Sequence, residues 1–499
     1  MLARKVFSAS AWLVFGRLFV KGADALAAIV IARFITPDAF GVVMLAVATL
    51  MMMRAFTELP VSDALIRESD LTAGHIDTAF TLNVLRGLLL AILMIAAAWP
   101  LSMLYSDERL FALLLALALV PLVLGLRSPM MVTFVRDVNY VPVTVLEAVA
   151  KFVATGLGLT TAVIWESYWA IVVTMVVPPI ITTPVSYILA PYRPRFGLSR
   201  ARDIVSFAGW VTVGRFFATA NGEADRFFIG GIIGTAAVGY FSMARSIATL
   251  ASWAIGAPLV QALYPGFSRV QEDSSRLNVA YLRSQALVFA ALAPLGVGIA
   301  LVAEPFVLLI LGEQWKAAII LLQILAPAGA IAALGMPAQA LVMAINKPKR
   351  LAIRDGAIFF LAIPIIILAA YFYGLVGAAC ARLFLTVPVM LISLRMVSEE
   401  LGPTVSVRNQ LANSWRTALS LAAMTAAVVC ASTFLGNNAE HSGQLVSIFG
   451  FGALGGIIYV ATHITVWKLS GSPQGPETFF LEMISNRLHL HTKFTKGLQ

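Results

Sequence analysis

A chain of 499 residues that is 60% hydrophobic and only 12% charged falls outside the soluble globular class, in which about a quarter of residues are charged. Its net charge of +10 would suggest nucleic acid in a soluble protein. In a membrane protein Lys and Arg collect in cytoplasmic loops, so no nucleic-acid partner is expected. The two cysteines, Cys380 and Cys430, lie far apart in apolar stretches, without disulfide or metal spacing.

A crossing takes about 20 mostly apolar residues. That criterion predicts an all-α polytopic membrane protein of fourteen spans, over 11–35, 40–57, 79–104, 110–133, 143–164, 168–190, 204–233, 237–262, 285–311, 317–345, 353–373, 375–397, 413–435 and 445–468. Arg4 and Lys5 before an apolar run imitate a signal peptide, but that run carries Arg17, Lys21 and Asp24 and reads as a retained first helix. Thr36-Pro37-Asp38 supplies a capping Thr and an N1 proline for the second span, and Ser106-Asp107-Glu108 can open the fourth. Connections are short, which leaves no soluble domain for a separate enzyme.

Basic residues set the orientation. They cluster in 193–202, 269–283 and 347–354, whereas Arg33, Arg109 and Lys316 alone fall on the opposite side. Both termini are therefore expected in the cytoplasm. A shift of 198 positions aligns 12–24 (WLVFGRLFVKGAD) with 210–222 (WVTVGRFFATANG), placing Arg17 on Arg215 and, further on, Gly41 on Gly239. Such repeats mark transporters built from two related halves. The expected organisation is a six-helix bundle over 1–190, a cytoplasmic connection over 191–203, a second six-helix bundle over 204–400, an extra helix pair over 401–469 and a cytoplasmic tail over 470–499.

Nine cations fall inside spans: Arg17, Lys21, Arg54, Arg86, Lys151, Arg215, Arg226, Arg245 and Arg382. Each costs about 2.5–3.5 kcal/mol at mid-bilayer on insertion scales. Arg54 and Arg86 lie near helix ends, where a long side chain can reach the interface. Arg17, Lys21 and Asp24 form one helical stripe, and Arg215, Thr219, Gly222 and Arg226 another; Arg245 shares a face with Ser242, Thr249 and Ser252. These stripes suit an anionic head group, with Arg17, Lys21, Arg86, Arg215, Arg226 and Arg245 as candidate binding residues. Asp24, Glu223 and Asp225 either neutralise neighbouring arginines or hold a coupling ion. Glu147 and Lys151, at i and i+4, are a structural ion pair or part of the path. No catalytic or metal-binding constellation is found, and no phosphate-binding Gly-rich loop ends in Lys-Ser or Lys-Thr. No cofactor is expected.

The stretches 32–41 (ARFITPDAFG), 78–90 (TAFTLNVLRGLLL), 224–248 (ADRFFIGGIIGTAAVGYFSMARSIA) and 311–325 (LGEQWKAAIILLQIL) resemble the multidrug/oligosaccharidyl-lipid/polysaccharide exporter superfamily. Within it they are most similar to Wzx-type flippases of the colanic-acid and succinoglycan exporter group. The resemblance implies two six-helix bundles facing a cavity, two peripheral helices, and export of an undecaprenyl-diphosphate-linked oligosaccharide across the inner membrane of a bacterium. Lipids of that membrane and the polymerase and export proteins of polysaccharide assembly are the implied partners, around a monomeric transport unit.

Two other readings compete. A cation-coupled drug exporter of the same superfamily would use Asp24, Glu223 and Asp225 to hold an organic cation. A membrane glycosyltransferase or polymerase would be expected to show large extracytoplasmic loops or an acidic catalytic motif, and neither is present.

Overall fold

The computed structural model describes residues 22, 27–57, 61–68, 70–137, 139–202, 209–435, 441–472 and 477. Regular structure among them is helical throughout. Hydropathy dictates this outcome, because a chain in lipid must satisfy its backbone within each segment. The main helices are α1 (Pro37–Phe56), α2 (Val61–Arg67), α3 (Ala73–Leu104), α4 (Arg109–Gly125), α5 (Val141–Trp165), α6 (Trp169–Leu189), α7 (Gly209–Ile232) and α8 (Thr235–Ala248). They continue as α9 (Ala257–Val270), α10 (Ser274–Leu301), α11 (Ala317–Ala333), α12 (Met336–Ala344), α13 (Pro348–Leu401), α14 (Trp415–Leu435) and α15 (His441–Leu469).

Among the described residues nine helices are long and apolar enough to cross a membrane, or eleven with two bent pairs. The bends have local causes. The pair Arg109–Gly125 and Pro129–Arg136 turns by 67° just before Pro129. The pair Thr235–Ala248 and Ser252–Val270 turns by 42°, at a π turn over Ser252–Gly256. Helix α13, at 54 residues, is more than twice a crossing's length, and its backbone leaves the helical region at Gly374 (φ 61°, ψ −148°). The spans predicted over 353–373 and 375–397 meet at that residue. Helix α7 is long enough to cross but carries Arg215, Glu223, Asp225 and Arg226, the charges that make it functionally interesting. These helices are consistent with the fourteen expected spans.

The described chain divides into two compact units. The first takes in the described residues up to Ile247 together with Ile310–Leu321 and Pro348–Ala381. The second takes in Ala248–Leu309, Leu322–Lys347 and the described residues from Arg382 onward.

Small residues set the packing in the first unit, as expected where lipid supplies no hydrophobic drive between helices. A Cβ on Gly87 of α3 would stand 2.5 Å from the Pro121 carbonyl oxygen, and one on Gly125 would stand 2.6 Å from that of Asn83. Helices α3 and α4 therefore touch backbone to backbone. The basic connection after α6 folds back on the start of α3: the Gly197 and Arg200 amides donate to the hydroxyls of Thr81 (2.9 Å) and Thr78 (3.2 Å). Tyr192 donates to Asp77 at 2.6 Å. Burial, then that bond, pushes the Tyr192 phenol up to about 12.

The second unit is centred on a satisfied polar knot. Gln410 accepts from Tyr281 (3.1 Å) and donates to the carbonyls of Leu394 and Val405, both at 2.9 Å. The helix pair α14–α15 is fastened to α10 by Tyr459, which donates to the Ala290 carbonyl at 2.8 Å.

Candidate functional site

Helices α7 and α8 carry the charges that the sequence singles out. The Arg226 guanidinium pairs with Glu223 one turn back and donates from Nε to Ser242 on α8 at 3.0 Å. Arg245, on α8, donates to Asp225 on α7 at 3.1 Å, and the Asp225 side chain is only 3% exposed. Two cations and two carboxylates thus close into a charge-balanced cluster that staples α7 to α8. Glu223 and Asp225 are each paired with an arginine here. Arg215, further along α7, is exposed. Arg17, Lys21 and Asp24 lie outside the described residues.

Arg86 sits in a different place, on α3 against the end of α1. Its Nη2 donates to the Arg54 carbonyl at 3.3 Å, one of the last carbonyls of a helix, which have no partner inside it. Arg54, Asn83 and Arg86 line a cavity of about 80 Å³ floored by Gly87, Pro121 and Gly125. The hollow lies at the close glycine crossing of α3 and α4, with Leu90 and Leu124 completing its lining. Two arginines and an asparagine therefore line one small space, residue types suited to a phosphate-sized anion. Sequence reasoning placed Arg54 at the interface; the structure brings it to the same cavity as Arg86.

Other ionic features are structural. Glu147 reaches Arg127 at 3.4 Å, while buried Lys151 donates to the Thr174 carbonyl at 3.3 Å. In the second unit Glu477 meets both Arg416 (2.9 Å) and His463 (3.1 Å), with Ser420 3.3 Å from the other histidine nitrogen. Burial would raise the Glu477 carboxyl, but the His463 hydrogen bond and Arg416 bring it below its ordinary value. Sequence reasoning missed this cluster, because its members come from α14, α15 and the tail without periodic spacing. Among the described residues no group of three His, Cys, Asp or Glu could hold a metal ion.

Residues 30–320 match the family described as polysaccharide biosynthesis protein. The chain belongs to that family. Relatives include the lipopolysaccharide biosynthesis protein WzxC of Escherichia coli K12, 21% identical over 394 residues, or 77% of this chain and 79% of WzxC. The succinoglycan biosynthesis transport protein ExoT of Rhizobium meliloti is 22% identical over 307 residues, covering 61% of this chain and 62% of ExoT. The fold is shared with the lipid II flippase MurJ in an inward closed conformation (TM-score 0.72, 12% identity, 93% of this chain and 99% of MurJ). It is also shared with an inward-facing multidrug resistance transporter of the MATE family (TM-score 0.59, 15% identity, 78% and 98%). The Wzx-type assignment made from the motifs therefore holds. The chain is a member of this polysaccharide biosynthesis family and a multi-pass membrane protein with the fold of those transporters.

Proposed function

We propose that the protein flips an undecaprenyl-diphosphate-linked oligosaccharide from the cytoplasmic to the extracytoplasmic leaflet of a bacterial inner membrane, with both termini in the cytoplasm. Two six-span repeats rock about a central path, exposing it to each side in turn. The observation that carries this reading is the cavity lined by Arg54, Asn83 and Arg86. A diphosphate supplies the negative charge that two guanidinium forks hold well. The sequence repeat gives the leading helix of each half further cations for that charge, Arg17 and Lys21 in the first and Arg215 in the second, while the prenyl chain stays in lipid.

Export of an organic cation is less well supported. Two of the three acids it would use, Glu223 and Asp225, already hold Arg226 and Arg245, so a cation there would have to displace an arginine from a part-buried pair.

Translocation in proteoliposomes separates these readings, using a fluorescent prenyl-diphosphate oligosaccharide beside a dye cation. Movement of the lipid-linked sugar, competed by excess prenyl diphosphate and slowed by Arg54→Ala with Arg86→Ala, is the expected result. Movement of the dye alone overturns it.

A further inference from the structure

Four connections of the first unit meet around Asp38, at the start of α1. Arg109, at the start of α4, donates to Asp38 and to Asp107, both at 2.6 Å. Thr235, the first residue of α8, contacts the other oxygen of Asp38. Tyr105, at the end of α3, donates to the Phe227 carbonyl of α7 at 3.0 Å. Nearby, the helix over 27–34 ends with carbonyls that its own turns cannot satisfy. Trp315 donates to the Ala32 carbonyl at 2.8 Å, and Gln314 donates to those of Ala32 (3.2 Å) and Arg33 (3.1 Å). Trp315 is fully buried, edge-on to Phe40 at 5.4 Å and to Tyr240 at 5.9 Å.

These contacts share one property. Each joins a span or connection of the first repeat to one of the second, or braces a residue that does, and all lie on one side of the membrane-crossing helices. Sequence topology puts the same connections together on the side away from the basic loops. The ionic part is only partly shielded: the Arg109 and Asp38 side chains are 35% and 44% exposed. Ion pairs of that exposure are weak and reversible. A permanent brace would be expected to be buried, whereas a contact that must open in each cycle is best built this way.

We propose that Asp38, Arg109 and Thr235, backed by Trp315 against Ala32, form a latch that shuts the path on the face away from the basic loops. Release of the latch is the step that opens this face. The inference rests on the alternating-access reading above, but not on the identity of the cargo. A transition of this kind needs two discrete packings of the same elements, and the latch is the contact set that one packing has and the other gives up.

The test uses the full chain with Cys380 and Cys430, both free and exposed, changed to Ser. Asp38→Cys with Thr235→Cys is oxidised in proteoliposomes and assayed before and after reductant. Cross-linking that stops transport, with recovery on reduction, is the expected result. Cross-linked protein that transports at the uncross-linked rate, or a pair that does not cross-link in the membrane, overturns the latch. In parallel, Asn83→Cys is labelled with an impermeant maleimide applied to spheroplasts or to inverted vesicles. Arg109→Gln should raise labelling at least about threefold in spheroplasts, from the face away from the basic loops, and lower it in inverted vesicles. Gly239→Ala reads the same change if Arg109→Gln fails to insert, and unchanged sidedness in an inserted variant overturns the latch. If lipid-linked sugar does not move at all but the cysteine pair cross-links in the membrane and labelling shifts as described, the cargo assignment falls and the latch stands.

Discussion

Gly41 and Gly239 each lie against the first residue of the other's helix. A Cβ on Gly41 would stand 1.8 Å from the Thr235 carbonyl oxygen, and one on Gly239 would stand 1.9 Å from that of Pro37. The shift of 198 positions that carries Gly41 onto Gly239 also carries Pro37 onto Thr235. The second span and the eighth therefore cross about a local two-fold relation, the structural trace of the sequence repeat.

No side chain fits at this crossing, so Gly41→Ala or Gly239→Ala forces α1 and α8 apart. Overpacking of this kind costs about 1–3 kcal/mol. Each variant should melt several degrees lower in detergent, followed by size-exclusion chromatography after heating. An unchanged melting temperature in both would contradict the backbone contact.

The Asp225–Arg245 pair gives a second expectation. Removing one partner leaves the other charge poorly solvated, so Asp225→Asn and Arg245→Gln should each destabilise more than their combination implies. A double-mutant cycle on thermal or denaturant unfolding should show a coupling of about 1 kcal/mol or more. Additive effects would mean that the pair contributes nothing net.

Spans were legible because hydropathy and length are set locally. The break between 373 and 375 was legible too, and it coincides with the positive φ of Gly374. Helical stripes found Arg226 and Arg245, since i, i+4 and i+7 positions share a face whatever the tertiary fold. Partner choice was not legible. Glu147 faces Arg127, and the Asp225–Arg245 pair depends on how α7 and α8 rotate against each other. Arg54 and Arg86 come from different helices, so their shared cavity exists only after α1, α3 and α4 pack. Glu477 lies in a tail without periodic spacing, and its partners Arg416 and His463 come from two other helices.

The cavity makes a prediction about charge geometry. Arg86→Lys keeps the charge but loses the planar fork that grips two phosphate oxygens. A charge-assisted hydrogen bond contributes about 1.5–3 kcal/mol, and 1.4 kcal/mol is about tenfold in affinity. Half-saturating lipid-linked substrate should rise about tenfold in Arg86→Lys, and further in Arg54→Ala with Arg86→Ala, with melting temperature little changed. Equal transport curves for wild type and Arg86→Lys would remove Arg86 from the binding set.

Glu477 sets an acid limit on the second unit. Its carboxyl, 4% exposed, titrates below its ordinary value of 4.5 because His463 and Arg416 outweigh the burial that would raise it. The unfolded chain therefore takes up this proton more readily than the folded one. The stability it contributes is fully present above about pH 4.5 and is lost as pH falls through the lower folded value. Melting temperature measured from pH 7 down to pH 3 should fall on the acid side, and Glu477→Gln should lower the neutral-pH value while flattening that fall. His463→Gln removes the largest favourable partner and should move the decline to higher pH, because the carboxyl then titrates closer to its ordinary value. If Glu477→Gln left both the neutral melting temperature and the acid decline as in the wild type, the tail contact would carry no stability.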